Sequence, residues 1–139
     1  MIRKVSKGFT LIEVMVVVVI LSILAVFIVP KIMSKPEQAR KTQAKQNIRI
    51  LETALNMYKL DNFQYPSTDQ GLEALVTKPS GTPEPKNWNK DGYIERLPKD
   101  AWGNPYQYLS PGTHGKLDIF SLGPDGVASE DDIGNWNLE

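Results

Sequence analysis

Gly8-Phe9-Thr10-Leu11-Ile12-Glu13 opens an apolar run, Val14 to Val29, that carries no charge. Arg3, Lys4 and Lys7 precede it with no acid among them, and Glu13 is the only ionisable side chain between Lys7 and Lys31. From Phe9 to Val29 a helix rises about 31 Å at 1.5 Å per residue, enough to cross the hydrocarbon of a bilayer. The basic flank predicts an N-terminus that stays in the cytoplasm. A carboxylate in such a span costs about 2.5–3.5 kcal/mol at mid-membrane and less near an end. Glu13 sits near the end, where a positive partner still helps.

A secretory signal peptide fits poorly: its apolar core is shorter, and no Ala-x-Ala-like site follows this one. A plain signal anchor with an accidental Glu13 is the other bland reading.

Outward from this run, glycine and proline divide the chain. Nine of the ten glycines and eight of the ten prolines lie after residue 63, which predicts one long helix followed by a loop-rich small domain. Pro30, at the end of the apolar run, predicts a kink or local melting around Val26 to Pro36. Helical spacing then resumes from about Ala39 to Leu60. Ala44, Ile48, Leu51, Leu55 and Tyr58 form an apolar stripe, and Ile50, Ala54 and Met57 widen it. Lys45, Arg49, Glu52, Asn56 and Lys59 take the other face, so one side of this half should pack on the rest of the chain.

Beyond residue 63 the elements are short. A helix is expected from Leu72 to Thr77 with Thr68 as its N-cap. A strand is expected from Tyr106 to Leu109, a hairpin loop from Ser110 to Gly115, and a return strand from Lys116 to Leu122 whose Leu117 and Ile119 share a face. The predicted class is α+β, a long N-terminal helix with a small antiparallel sheet on its C-terminal half.

Formal net charge is zero, which argues against a general nucleic-acid binder. The charges are uneven. Lys31, Lys35, Arg40, Lys41, Lys45 and Arg49 face only Glu37, whereas from residue 117 onward there are six acids and no Lys or Arg. Both blocks read as solvated surface, or as a basic stem that meets an acidic tip on another subunit. No cysteine is present, so a small domain beyond a membrane gains no disulfide. No catalytic set is legible. His114, the only histidine, reads as an exposed loop residue, and Trp88, Trp102 and Trp136 as packing residues.

Leu122 to Asp132 is the one convincing ligand cluster. It offers Asp125, Ser129, Glu130, Asp131 and Asp132 with carbonyls in a Gly/Pro-bent backbone. Oxygen donors of this kind suit calcium, and the lack of Cys and of a nearby His disfavours zinc. The pattern is not an EF-hand. On residue chemistry alone, calcium and a solvated acidic turn both stand.

The hexapeptide, the basic leader and the long uncharged span resemble the class III signal of type IV pilins and type II secretion pseudopilins. Met57-Tyr58-Lys59-Leu60-Asp61-Asn62, Thr68-Asp69-Gln70-Gly71-Leu72, Asp100-Ala101-Trp102-Gly103-Asn104-Pro105-Tyr106 and Asp118-Ile119-Phe120-Ser121-Leu122-Gly123-Pro124-Asp125-Gly126 resemble the major pseudopilins of type II secretion, and so does Asp132-Ile133-Gly134-Asn135-Trp136. The similarity covers essentially the whole chain. It implies a type IV pilin-like fold and four segments: a removed leader (1–8), a transmembrane helix (9–30), an amphipathic stem (31–62) and a periplasmic domain (63–139). It implies cleavage by a prepilin peptidase between Gly8 and Phe9, N-methylation of Phe9, and an assembly role for Glu13 toward a neighbour's N-terminal amine. Calcium in the acidic loop is implied too, with ligands by position from the Leu122 carbonyl, Asp125, a carbonyl near Val127 or Ser129, and Asp131 or Asp132. The implied role is non-enzymatic: the major subunit of a helical homopolymer, single-pass in the bacterial inner membrane before assembly. Its implied partners are further copies of itself, minor pseudopilins, the inner-membrane secretion platform, the outer-membrane secretin and membrane lipid. The missing cysteines disfavour a type IV pilus subunit. A membrane-anchored monomeric calcium-binding module is the rival from another class.

Overall fold

The structure, a computed structural model, describes residues 6–139, without the side chains of residues 28–35. The basic residues Arg3 and Lys4 lie outside the described residues. One helix, α1, runs from Leu11 to Asn62. Of the kink or local melting expected around Val26 to Pro36, the melting does not occur: Pro30 and Pro36 both sit within α1, and the helix does not stop there. Each removes one backbone donor, which costs a helix a bond without ending it where helix continues on both sides. Among the described residues no helix is long and apolar enough to cross a membrane. The described side chains of the apolar run end at Phe27, so the expected span to Val29 lies partly outside them.

Contacts divide the chain into two compact units, one ending at Gln38 and one from Ala39 to Glu139. In the first, apolar side chains are exposed throughout, from Phe9 at 90% to Phe27 at 72%.

In the second unit the stripe of α1 supplies the core. Ala44, Ile48, Leu51, Ala54, Leu55 and Tyr58 are buried with Leu72, Leu75, Tyr106, Tyr108, Leu117, Ile119 and Ile133. The stripe is narrower than predicted, because Ile50 and Met57 remain 53% and 54% exposed. α1 ends on a left-handed residue, Phe63 (φ 68°), whose N–H donates to the Lys59 carbonyl at 2.7 Å. Buried Asn62 locks that end: its amide donates to the Tyr58 carbonyl and the Tyr93 hydroxyl, and its carbonyl accepts from Asn87 N–H.

The predicted helix Leu72 to Thr77 is a single 3₁₀ turn, Leu72–Leu75, and Thr68 does not cap it. The Thr68 hydroxyl instead donates to the Ser110 carbonyl and accepts from Ser110 N–H. The turn before it is closed by Ser67 and Gln70, each side chain accepting from the other's backbone N–H.

Three short strands follow: β1 (Gln107–Leu109), β2 (Asp118–Ser121) and β3 (Ile133–Gly134), antiparallel in the order β1-β2-β3. Tyr108 pairs with Ile119, and Phe120 with Gly134. β1 and β2 are shorter than the predicted Tyr106–Leu109 and Lys116–Leu122, and β3 was not predicted. This is the predicted α+β architecture, with the 122–132 loop between β2 and β3.

Candidate functional site

Two places carry chemistry. The first is the start of α1. Gly8, Phe9 and Thr10 precede the helix and are exposed, so the Gly8–Phe9 peptide bond lies in non-helical, accessible chain. Thr10 N–H donates to Glu13 Oε2 at 3.0 Å, and Glu13 N–H donates to Thr10 Oγ1 at 3.3 Å. This reciprocal pair is a capping box: it satisfies two donors that a helix start leaves orphaned and sets a negative charge at its positive end. Phe9 and Val14, which flank the box at the positions of a hydrophobic staple, are both exposed, Phe9 at 90%. The sequence reading missed the box, although Thr-x-x-Glu before an apolar run is its signature.

The second place is the loop from Leu122 to Asp132. Gly123 (φ 72°) and Gly126 (φ 67°) supply its left-handed bends. Asp125, Val127, Ser129 and Asp131 are exposed, whereas Asp132 is 5% exposed. Asp125 Oδ1 accepts from Val127 N–H at 3.2 Å. The Asp132 carboxylate accepts from Ser129 N–H at 3.1 Å and from the Ser129 hydroxyl at 3.4 Å. Ser129 Oγ in turn accepts from Asp131 N–H. Asp132 is thus engaged in fastening the loop, and the neighbouring Asp131 is turned toward solvent.

Among the described residues no group of three or more His, Cys, Asp or Glu stands close enough to hold a metal. The loop's side-chain and carbonyl donors are all oxygens, the kind of donor that calcium takes, and with so few carboxylates together any such site would depend on backbone carbonyls.

β2 ties this loop to the core. The Ser121 hydroxyl donates to Asp100 Oδ2 at 2.8 Å and accepts from Gly123 N–H at 3.2 Å, so the loop entrance is fixed to a buried carboxylate. Asp100 also accepts from Trp102 and Asn104 N–H. His114 is the exposed loop residue expected, 48% exposed, but it has partners that the sequence did not show. It stacks on Trp136 and meets Asp118. Trp88 packs as expected, its indole N–H donating to the Ala74 carbonyl at 2.8 Å.

An exposed apolar helix with a boxed, accessible N-terminus, continuing into a small α+β domain, defines a pilin-like subunit. A family model described as type II secretion system protein G matches residues 31–136, and one described as the prokaryotic N-terminal methylation motif matches residues 3–29. The type II secretion system core protein G of Pseudomonas aeruginosa is 63% identical, with 97% of this chain and 98% of that protein covered. That of Vibrio cholerae is 60% identical over 99% and 97%. The crystal structure of the major pseudopilin of enterohaemorrhagic Escherichia coli matches with a TM-score of 0.71 at 53% identity, covering 75% of this chain and 92% of that one. This chain belongs to the protein G family of the type II secretion system.

Proposed function

We propose that the chain is the major subunit of a type II secretion pseudopilus, a periplasmic helical homopolymer whose growth drives folded proteins across the outer membrane. The observation that carries this is the apolar exposure from Phe9 to Phe27, interrupted only by Thr10, Glu13 and Ser22, at the start of a capped helix. Water does not tolerate such a surface on a free monomer. A bilayer covers it before assembly, and the helices of neighbouring copies cover it afterwards. Heterologous stacking of identical subunits gives an open helix.

In this reading a prepilin peptidase cuts between Gly8 and Phe9 and methylates Phe9. The chain crosses the inner membrane once, with its C-terminal domain in the periplasm, until it is drawn into the filament. Minor pseudopilins, the inner-membrane platform and the outer-membrane secretin are its partners. The Glu13 carboxylate attracts the N-terminal amine of a neighbour, an attraction far stronger at low dielectric than in water.

Calcium, when bound, supplies a multivalent cross-link for a loop too polar and short to fold by itself. The Leu122 carbonyl, Asp125, a carbonyl of Val127 or Ser129, and Asp131 or Asp132 would hold it. The assembly reading is tested by filament formation in Glu13→Ala. Loss of filaments with the protein still present in the membrane is the predicted result, and filaments at the wild-type level would contradict it.

A further inference from the structure

The His114 ring stacks on the Trp136 indole with centroids 3.7 Å apart and planes within 6°. Its Nδ1 lies 3.1 Å from Asp118 Oδ2. The Asp118 side chain is only 1% exposed, and it also accepts from the Thr113 N–H and hydroxyl, each at 2.8 Å. Two glycines make room for this. A Cβ at Gly112 would overlap the Asp118 carboxylate, and one at Gly134 would overlap the Trp136 ring. The segment that carries Trp136 is joined to β2 by Asn135, whose side chain accepts from Ile119 N–H and donates to the Leu117 carbonyl. Beyond it, the carbonyls of Leu138 and Glu139 accept from Arg49 and Lys45 of α1.

We propose that His114 is a pH-sensitive latch that, once protonated, holds the C-terminal segment 135–139 against the β1–β2 hairpin through Trp136. The neutral imidazole donates from Nδ1 in one tautomer only. The imidazolium donates from both nitrogens, so its bond to Asp118 becomes obligatory and charge-assisted. Its charge then lies against an indole face, a favourable cation–π arrangement. Histidine is the side chain that ordinarily changes charge between pH 5 and 8. The ionisable groups that face the ring are Asp118, Glu52, Lys116 and Tyr65, which line one cleft of about 260 Å³ with it. Residues 133–138 carry none. Burial works against ionised Asp118, but the hydrogen bonds from His114 and Thr113 outweigh it and hold the carboxyl below its ordinary value. Closing the latch also keeps the tail in place beside Arg49 and Lys45, so the helix face it covers becomes pH-dependent.

The test is amide hydrogen exchange of the full chain in detergent at pH 6 and pH 8, corrected for intrinsic rates. Residues 133–138 should be protected about fivefold more at pH 6, and His114→Gln should abolish the difference. Equal protection of the wild type at both pH values, or a difference that survives in His114→Gln, overturns the proposal. Should the variant fold poorly, the wild type suffices, because His114 is the only histidine. Its side-chain resonances and the Trp136 indole resonance must titrate together, and a Trp136 signal indifferent to His114 overturns the proposal as well.

Discussion

Ser121 and Asp100 are both buried, and the Ser121 hydroxyl donates to Asp100 Oδ2 at 2.8 Å. Through this bond the turn at residues 100–104 holds the strand from which the acidic loop departs. Asp100→Ala leaves Ser121 Oγ and the N–H groups of Trp102 and Asn104 without their acceptor. We expect a loss of about 2–4 kcal/mol in urea unfolding: the orphaned Ser121 hydroxyl is buried and costs about 1–3 kcal/mol, while the part-buried Trp102 and Asn104 N–H groups can turn partly to water and add less. Ser121→Ala should cost less, about 1–2 kcal/mol. A variant of Asp100 as stable as wild type would show that the turn is held otherwise.

The capping box separates two roles of Glu13. Glu13→Gln keeps a side-chain acceptor for Thr10 N–H and so should leave the helix start intact, but it removes the charge offered to a neighbour's amine. Amide exchange at Ile12 to Val14 should match wild type in this variant while filaments are lost. Thr10→Ala does the reverse locally: it should raise exchange there about fivefold, as expected for loss of a cap worth about 1 kcal/mol. Filaments built normally from Glu13→Gln would leave capping as the residue's only role.

Calcium removal gives a third expectation. With calcium at about 100 times its dissociation constant the folded state gains about 2.7 kcal/mol, which moves a domain of this size on the order of 10 °C. EDTA should lower the melting temperature of the full chain in detergent accordingly, and Asp125→Asn should show no response to calcium. A melt indifferent to calcium in the wild type contradicts the metal reading.

Stability should also fall at high pH. Burial pushes the Tyr108 hydroxyl, which donates to the Pro66 carbonyl at 2.7 Å, up to about 12. Tyr58, Tyr93 and Tyr106 are raised too, with burial the largest cause in each. A raised value in the folded state means the folded chain keeps protons that the unfolded chain gives up. For Tyr108 the contribution is complete below about pH 10 and is lost between about pH 10 and 12, at about 1.4 kcal/mol per pH unit; the other three add to the loss in the same direction. Unfolding free energy measured across that interval should fall while the tyrosine absorbance of the folded protein stays largely un-ionised. A flat profile would mean that these phenols are not buried.

Much of this was legible because it rests on long periodic or uncharged stretches. The charge-free run after Glu13 and the spacing of Ile48, Leu51, Leu55 and Tyr58 marked α1 and the core face. Of the kink or local melting expected around Pro30, the melting does not occur, because one lost hydrogen bond does not outweigh two helical flanks. Thr68 was read as a cap from local pattern, yet its hydroxyl serves Ser110, a partner no local pattern reveals. β3 has two residues and so no periodicity to read. His114 was rightly read as an exposed loop residue, but its partners were hidden: Asp118 and Trp136 come together only when β3 returns to β2. The acidic loop was visible as chemistry, but not the way Asp132 turns inward onto Ser129 while Asp131 stays outside.

The account rests most directly on the processing of the N-terminus, and intact-mass measurement of the protein extracted from its native membrane tests it. A mass equal to Phe9–Glu139 with one added methyl group is the predicted result. An uncut chain beginning before Gly8 would remove the free amine at Phe9 that Glu13 is proposed to attract, and with it the assembly mechanism.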